Sequence, residues 1–469
     1  MTQDIFGMGI SRRIKGEKDK AIVFANKAIE IDETYLNIIA KDKIFEPIKE
    51  YLSVSVRMEE KEINVAIGLA TGRKQFKSVL STYIYHLNET HFLKENNVKL
   101  HLIVAYDLKY LGTTKEDYVS LDEEIKKEFT SCTFIGDEDI EATLNELVNK
   151  KVIKEKEKSI CFGEGYAVRR NIVLYNALKL KMDMLIFMDD DEYPMAVTDS
   201  TDFTIWSGQH VIEEHVKQLM YADVTNGYHC GYISPIPCVE FDNIVKEEDF
   251  RAFIEAMSND VLNWDYIKGV MNNGGVTYAN KDILKSKKAS LVEEVNKSKF
   301  ITGGNLGLNL TNKNKVFPFF NPPGARGEDT FLSTCITNCT VKLIPTYTFH
   351  DGFSMYNNLL KGVLPTKLNR VESTKSHEVI DRFLRACKGW VRYKPLYTYI
   401  TQMEDYDKIM QTTREKLEIA IPKISSFFNM DEFKEVLVEF NKYDALVKEH
   451  YKQFEDTKDI WVRIKEYLA

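Results

Sequence analysis

The densest potential chemistry in the chain is Asp189, Asp190, Asp191 and Glu192, four acids placed directly after the apolar run Met184–Met188. Two carboxylates about 4 Å apart repel by roughly 1 kcal/mol in water and about 4 kcal/mol at an effective dielectric of 20, a cost that no fold requires. A divalent cation turns that repulsion into attraction, and Mg²⁺ and Mn²⁺ prefer oxygen ligands. The competing account is a solvated acidic strand end that caps the helix after it. Upstream, Arg169 and Arg170 offer guanidinium groups, whose parallel N–H donors match a phosphate as an ammonium cannot. Two arginines on an ordinary helix surface would need no ligand.

Such groups need a scaffold. Met184–Met188 is too short for a helix and reads as a strand buried on both faces, as in parallel sheets. The acids then lie at its carboxyl end, where open α/β sheets bind ligands. The segments INVAIGLATGRK from Ile63, KLHLIVAYD up to Asp107 and CTFIGDED from Cys132 read as further strands. A helix is expected from near Phe76 and another over GEGYAVRRNIVLYNALKLK. Strands alternating with helices predict right-handed crossovers and a mostly parallel sheet flanked by helices, an α/β fold. After Pro194 a helix is expected near 200–225, a strand over GYHCGYISPIPCVEF and a loop-rich insertion over NWDYIKGVMNNGGVTYAN. KFITGGNLGLNLT then reads as a strand or hairpin, FNPPGARGEDTFLSTCI as a loop entering a helix and VKLIPTYTFHDG as a last strand. Residues 1–60 read as a helical segment, in which Lys20–Ile39 resembles one helix of a tetratricopeptide repeat. With a single copy, an amphipathic helix packed on the main domain is expected. Residues 356–469 read as a helical extension.

Bulk properties narrow the function. With 469 residues, 44% hydrophobic and 12% aromatic, the chain is globular rather than disordered. A formal net charge of −8 argues against general nucleic-acid binding while permitting a local basic patch. The start of the chain lacks the apolar core of a signal peptide, and no run nears the roughly 18 apolar residues needed to cross a bilayer. Seven scattered cysteines, an odd number, fit a reducing cytoplasm better than a disulfide framework. A P-loop kinase is excluded, because no GxxxxGK[ST] run occurs. The stretch Thr366–Tyr399 is basic and aromatic within an acidic protein. It suits an anionic acceptor or peripheral contact with the inner face of a membrane, or a solvated helix face.

Five motifs stand in order: AVRRN (Ala167–Asn171), MDDD (Met188–Asp191), TGGN (Thr302–Asn305), RGED (Arg326–Asp329) and FHDG (Phe349–Gly352). Together they resemble the GT-A glycosyltransferases, especially the family-two inverting group, over roughly Ile63 to Asp351. The resemblance implies a Rossmann-like GT-A domain over 61–355, with a nucleotide-sugar half (61–195) and an acceptor half (196–355). Two departures stand out. The first strand ends LATGR rather than in a proline turn, and Asp202–Ser298 is longer than in that family.

The resemblance also implies roles. Asp189 and Asp191 match the acidic DxD pair, Asp191 on the metal and Asp189 on the donor ribose or a metal-bound water. Asp190 can substitute for either. Thr71, Gly72, Arg73 and Asp107 would surround the nucleotide base and ribose, with Arg169 and Arg170 on the phosphates. Gly303, Gly304 and Asn305 would let backbone approach the donor sugar, and a plain hairpin turn would look the same. Asp329 would be the base that deprotonates the attacking hydroxyl, assisted by Glu328. The same pair also suits a helix N-terminal cap. His350 would complete the metal shell, and an imidazole there favours Mn²⁺ over Mg²⁺. The implied donor is a nucleoside-diphosphate sugar, UDP-linked by preference, and the implied acceptor a hydroxyl of a glycan, glycolipid or cell-surface polymer. A nucleotide- or carbohydrate-binding scaffold without catalysis is the alternative.

Overall fold

The computed structural model describes residues 2–14, 18–31, 35, 38–39, 43–45, 62–162, 166–258, 264–356 and 359–469. Its strands, in chain order, are β1 (Ile63–Thr71), β2 (Val98–Tyr106), β3 (Ser131–Ile135), β4 (Met184–Met188), β5 (Glu192–Tyr193), β6 (Met195–Asp199), β7 (Thr204–Gly208), β8 (Val224–Tyr232), β9 (Val276–Thr277), β10 (Ser290–Leu291), β11 (Leu306–Asn309) and β12 (Val341–His350). The main sheet runs β3-β2-β1-β4-β11-β8-β12-β10, with β5 added to β12 and β9 to β8.

The first four strands are mutually parallel, as expected. The sheet as a whole is not mostly parallel. β11 runs antiparallel between β4 and β8, and β5, β9 and β10 also pair antiparallel, while β12 returns parallel to β8. Four residues of β11 carry too little pattern to reveal strand direction, so this mixing was invisible in the sequence.

Helices cover both faces. The helices named below are α1 (Thr2–Ile14), α2 (Lys18–Ile31), α3 (Phe76–Glu89), α4 (Tyr166–Lys179), α5 (Val211–Leu219), α6 (Glu247–Met257), α7 (Trp264–Asn272), α8 (Glu328–Cys335), α9 (His377–Thr401), α10 (Tyr406–Phe428), α11 (Lys434–Ala445) and α12 (Val447–Tyr467). The apolar run of β4 is explained by this sandwich. Leu185 and Phe187 enter the core beneath α4, whereas Met184, Ile186 and Met188 enter the core beneath α3 and α5. Burying each such side chain contributes about 1.5–3 kcal/mol. At Gly68 in β1 an added Cβ would lie 2.7 Å from Val173 Cγ1 and 2.9 Å from Leu185 Cδ1, so α4 sits too close for any side chain there.

Other expectations shift. The helix placed near 200–225 is the β6–β7 hairpin followed by α5. Among its described residues the expected loop-rich insertion begins with a helix, α7, and continues as a turn and the short strand β9. Trp264, Ile267, Val270 and Met271 form the buried face of α7, and the Asn-Asn-Gly-Gly run is its stop. α1 and α2 pack on each other through Ala21, Ala25 and Ile29, joined by Ile39 and Phe45, and no described residue beyond Phe45 enters that cluster. Part of the tetratricopeptide-like stretch lies outside the described residues.

The C-terminal helices are built into the protein. α9, α10 and α11 share a core with α6 and α7, and α12 places Ile460, Trp461 and Ile464 in the core beneath α4. Much of the basic stretch is engaged internally: Lys388 pairs with Glu435, Arg392 with Glu439, and the Lys394 ammonium donates to the carbonyl of Ser258. All seven cysteines are free thiols. No described helix is long and apolar enough to cross a membrane.

Candidate active site

β4 ends between β1 and β11, so Asp189–Glu192 emerge at the middle of the sheet, beside Thr71–Arg73 on one side and Thr302–Asn305 on the other. On the β1 side Arg73 turns into the acidic run. Its Nη1 donates to Asp190 Oδ1 at 3.0 Å and to Asp191 Oδ2 at 2.6 Å, and Thr71 Oγ1 donates to Asp190 Oδ2. Burial pushes the Asp190 carboxyl above the usual range, against the pull of Arg73. Burial acts the same way on Asp191, but a contact with His350 and the guanidinium of Arg73 hold it well below that range. His350 Nε2 lies 3.5 Å from Asp191 Oδ2. Despite burial, Asp191 raises the affinity of His350 for its proton.

On the other side Arg170, 7% exposed, joins two carboxylate groups. Nη2 donates to Asp189 Oδ1 at 2.9 Å, Nη1 donates to the Gly303 carbonyl at 2.7 Å, and Nε lies 3.7 Å from Glu328 Oε1. The guanidinium rests on the rings of Phe187 and Phe319. The amide of Gly303 donates to Asp329 Oδ2 at 3.0 Å, and the amide of Thr330 donates to Oδ1 at 2.8 Å. Arg170 and Gly303 therefore bridge the tip of β4 to the start of α8. Burial, then the neighbouring Glu328, pushes Asp329 up to about 6. Burial and the other three acids of the run also raise Asp189, with Arg170 opposing.

Two residues that no motif marked, His229 and Thr348, tie Glu192 to Thr302. Glu192 accepts from Thr348 Oγ1 at 2.7 Å and pairs with His229 Nδ1 at 3.1 Å, while His229 Nε2 meets Thr302 Oγ1 at 2.8 Å. A Cβ on Gly304 would sit 2.9 Å from both Glu192 carboxylate oxygens and 3.0 Å from Asp189 Oδ2, so backbone here lies directly against the acids. The one sequence signal for the tie was a histidine in the middle of a strand, GYHCGY.

Some expected residues point elsewhere. Asn305, 2% exposed, accepts at Oδ1 from His215 Nε2 at 2.8 Å and donates through Nδ2 to the Tyr228 carbonyl at 3.2 Å. Its side chain is a structural tie rather than a cleft group. Arg169 donates to the Tyr106 carbonyl at 2.9 Å and to Asp137 Oδ1 at 2.5 Å, with Asp107 3.7 Å away, so it braces the ends of β2 and β3. Gly72 packs under Tyr110, where a Cβ would lie 2.6 Å from that residue's Cβ. Asn171 exchanges two hydrogen bonds with the backbone of Phe319, as a structural residue would.

Comparison with known proteins adds no family. No family model matches the chain, and no curated protein matches it. The architecture is Rossmann-like. A mixed, helix-flanked sheet with acids at a central strand end carries that description and nothing narrower.

Chemically, Asp191 with Asp189 or Asp190, and His350 beside them, offer oxygen and imidazole donors to a cation. Among the described residues no group of three or more His, Cys, Asp or Glu side chains converges to enclose an ion. An ion bound at this tip would therefore take one or two carboxylates from the protein and complete its shell with phosphate oxygens and water. Two open clefts, of about 560 Å³ beside the β6–β7 hairpin and about 510 Å³ on α10 and α11, do not include the acidic tip.

Proposed function

We propose that the protein is a metal-dependent glycosyltransferase that moves a sugar from a nucleoside-diphosphate sugar to a hydroxyl acceptor with inversion. The observation that carries this reading is the bridge through Arg170 and Gly303, which places an acidic strand tip and a separate carboxylate, Asp329, at opposite ends of one rigid link. Glycosyl transfer needs those two functions: stabilisation of charge on a departing diphosphate and removal of a proton from the incoming hydroxyl. Asp329, fixed by two backbone amides, accepts the acceptor's proton. Arg170 is occupied by carboxylates and sets the spacing of the two groups. Asp191, with Asp189 or Asp190 and His350, would hold Mn²⁺ or Mg²⁺, which supplies Lewis-acid stabilisation of the leaving diphosphate.

The experiment is a panel of nucleotide sugars with Mn²⁺, reading nucleoside-diphosphate release with and without chelator. Release that stops on chelation supports the reading. A second reading, a nucleotide- or sugar-binding scaffold without turnover, is favoured by the way Arg73 and Arg170 already neutralise the acids. It predicts thermal stabilisation by a nucleotide sugar without any diphosphate release.

A further inference from the structure

Arg382 stands out among the cationic side chains near the acidic tip. It belongs to α9, the first long helix of the C-terminal extension, and reaches back to the end of β12. Its guanidinium lies 4.2 Å from the ring centre of Phe353 and 4.9 Å from that of Tyr232, and Nη1 donates to the carbonyl of Gly352. A Cβ on Gly352 would sit 2.8 Å from Arg382 Nη2 and 3.3 Å from His350 Cε1, so the guanidinium and the imidazole flank the same glycine. His350 in turn faces Asp191.

Its neighbours are already paired. Arg73 lies between Asp190 and Asp191, and Arg170 between Asp189 and Glu328. No ion pair among the described residues includes Arg382, although Arg385 one turn on is paired with Asp381. A half-buried guanidinium seated on two aromatic faces and lacking a carboxylate keeps its charge and its remaining N–H donors for an anion. At the rim of a cluster of acids the expected visitor is an anion that arrives with a cation, and phosphate meets that description.

We propose that Arg382 binds a phosphate oxygen of a nucleoside diphosphate at the acidic tip, making the C-terminal extension part of the ligand site. This rests on the reading of the site as one for nucleotide sugars. Such a residue adds affinity for the diphosphate and leaves contacts to the nucleoside unchanged.

The test is calorimetric binding of UDP and GDP, each beside its free nucleoside, to wild-type protein, Arg382→Gln and Arg382→Lys in Mn²⁺. Gln keeps a polar stem but is two bonds shorter and uncharged, and Lys keeps charge without the fork. Gln should weaken diphosphate binding on the order of tenfold, the worth of one charge-assisted contact, with nucleoside binding unchanged. Lys should fall between Gln and wild type. Equal diphosphate affinity in a folded Gln variant, checked by its melting temperature, overturns the role of Arg382 alone. So does equal weakening of diphosphate and nucleoside, which would mark a packing role. Absence of any diphosphate binding to the wild type overturns this inference together with the reading beneath it.

Discussion

Arg170 decides the site at the level of single residues. Its guanidinium is buried and touches Asp189, Glu328 and the Gly303 carbonyl, so its removal leaves carboxylates without their counter-charge. Breaking a buried pair by deleting one partner costs about 3–5 kcal/mol, and Arg170→Ala should lose stability on that scale in urea unfolding. Asp329 has the opposite signature. Its pKa is raised to about 6 in the folded protein, above the ordinary carboxylate value of about 3.9. The folded state then holds more protons than the unfolded state between those values, so this group lowers stability as pH rises through that window, and the deficit persists above it. Asp329→Asn should therefore raise the melting temperature at pH 8 and leave it near wild type at pH 4, while transfer is lost. Wild-type activity should rise with pH around 6 rather than around 4. A melting temperature that falls equally at both pH values would show that the carboxylate is only a helix cap. The acids and arginines were legible by type. Their pairing was not, because Arg73 and Asp191 meet only when β1 and β4 lie side by side.

At the level of elements, apolar runs and helical periods placed β1, β2, β4, α3 and α4 close to where they form. What composition could not carry was direction and partner choice. The short β11 gave no hint that it would run antiparallel beside β4, and the Asn-Asn-Gly-Gly signal at the end of α7 masked the helix before it. The packing of α4 on β1 gives a sharp test. Gly68→Ala puts a methyl 2.7 Å from Val173 Cγ1 and 2.9 Å from Leu185 Cδ1, inside contact distance of core side chains from α4 and β4. Overpacking of this kind costs about 1–3 kcal/mol, which urea titration would resolve. A neutral Gly68→Ala would mean that α4 can slide on the sheet, and with it Arg170.

At the level of the whole molecule, the sequence marked a C-terminal extension but gave no sign of how deeply it is set. Trp461 is fully buried in the core beneath α4, among side chains that also carry Phe187 of β4. Trp461→Ala should cost about 3–5 kcal/mol, read as a single shifted unfolding transition. Two separate transitions would mean that the extension folds apart from the sheet. The integration of α9 and α12 also explains why the site borrows from both halves of the chain. The acids come from a central strand end, the bridge from the loop before β11, and the proposed phosphate-binding guanidinium of Arg382 from α9. The most direct measurement for the whole account is an anomalous difference map from crystals grown with Mn²⁺ and a nucleoside diphosphate. The account predicts a manganese peak within coordination distance of the Asp191 carboxylate, bridging it to the phosphates, with Arg73 displaced or re-paired. A bound diphosphate with no metal at the end of β4, or a metal held far from it, would contradict the account.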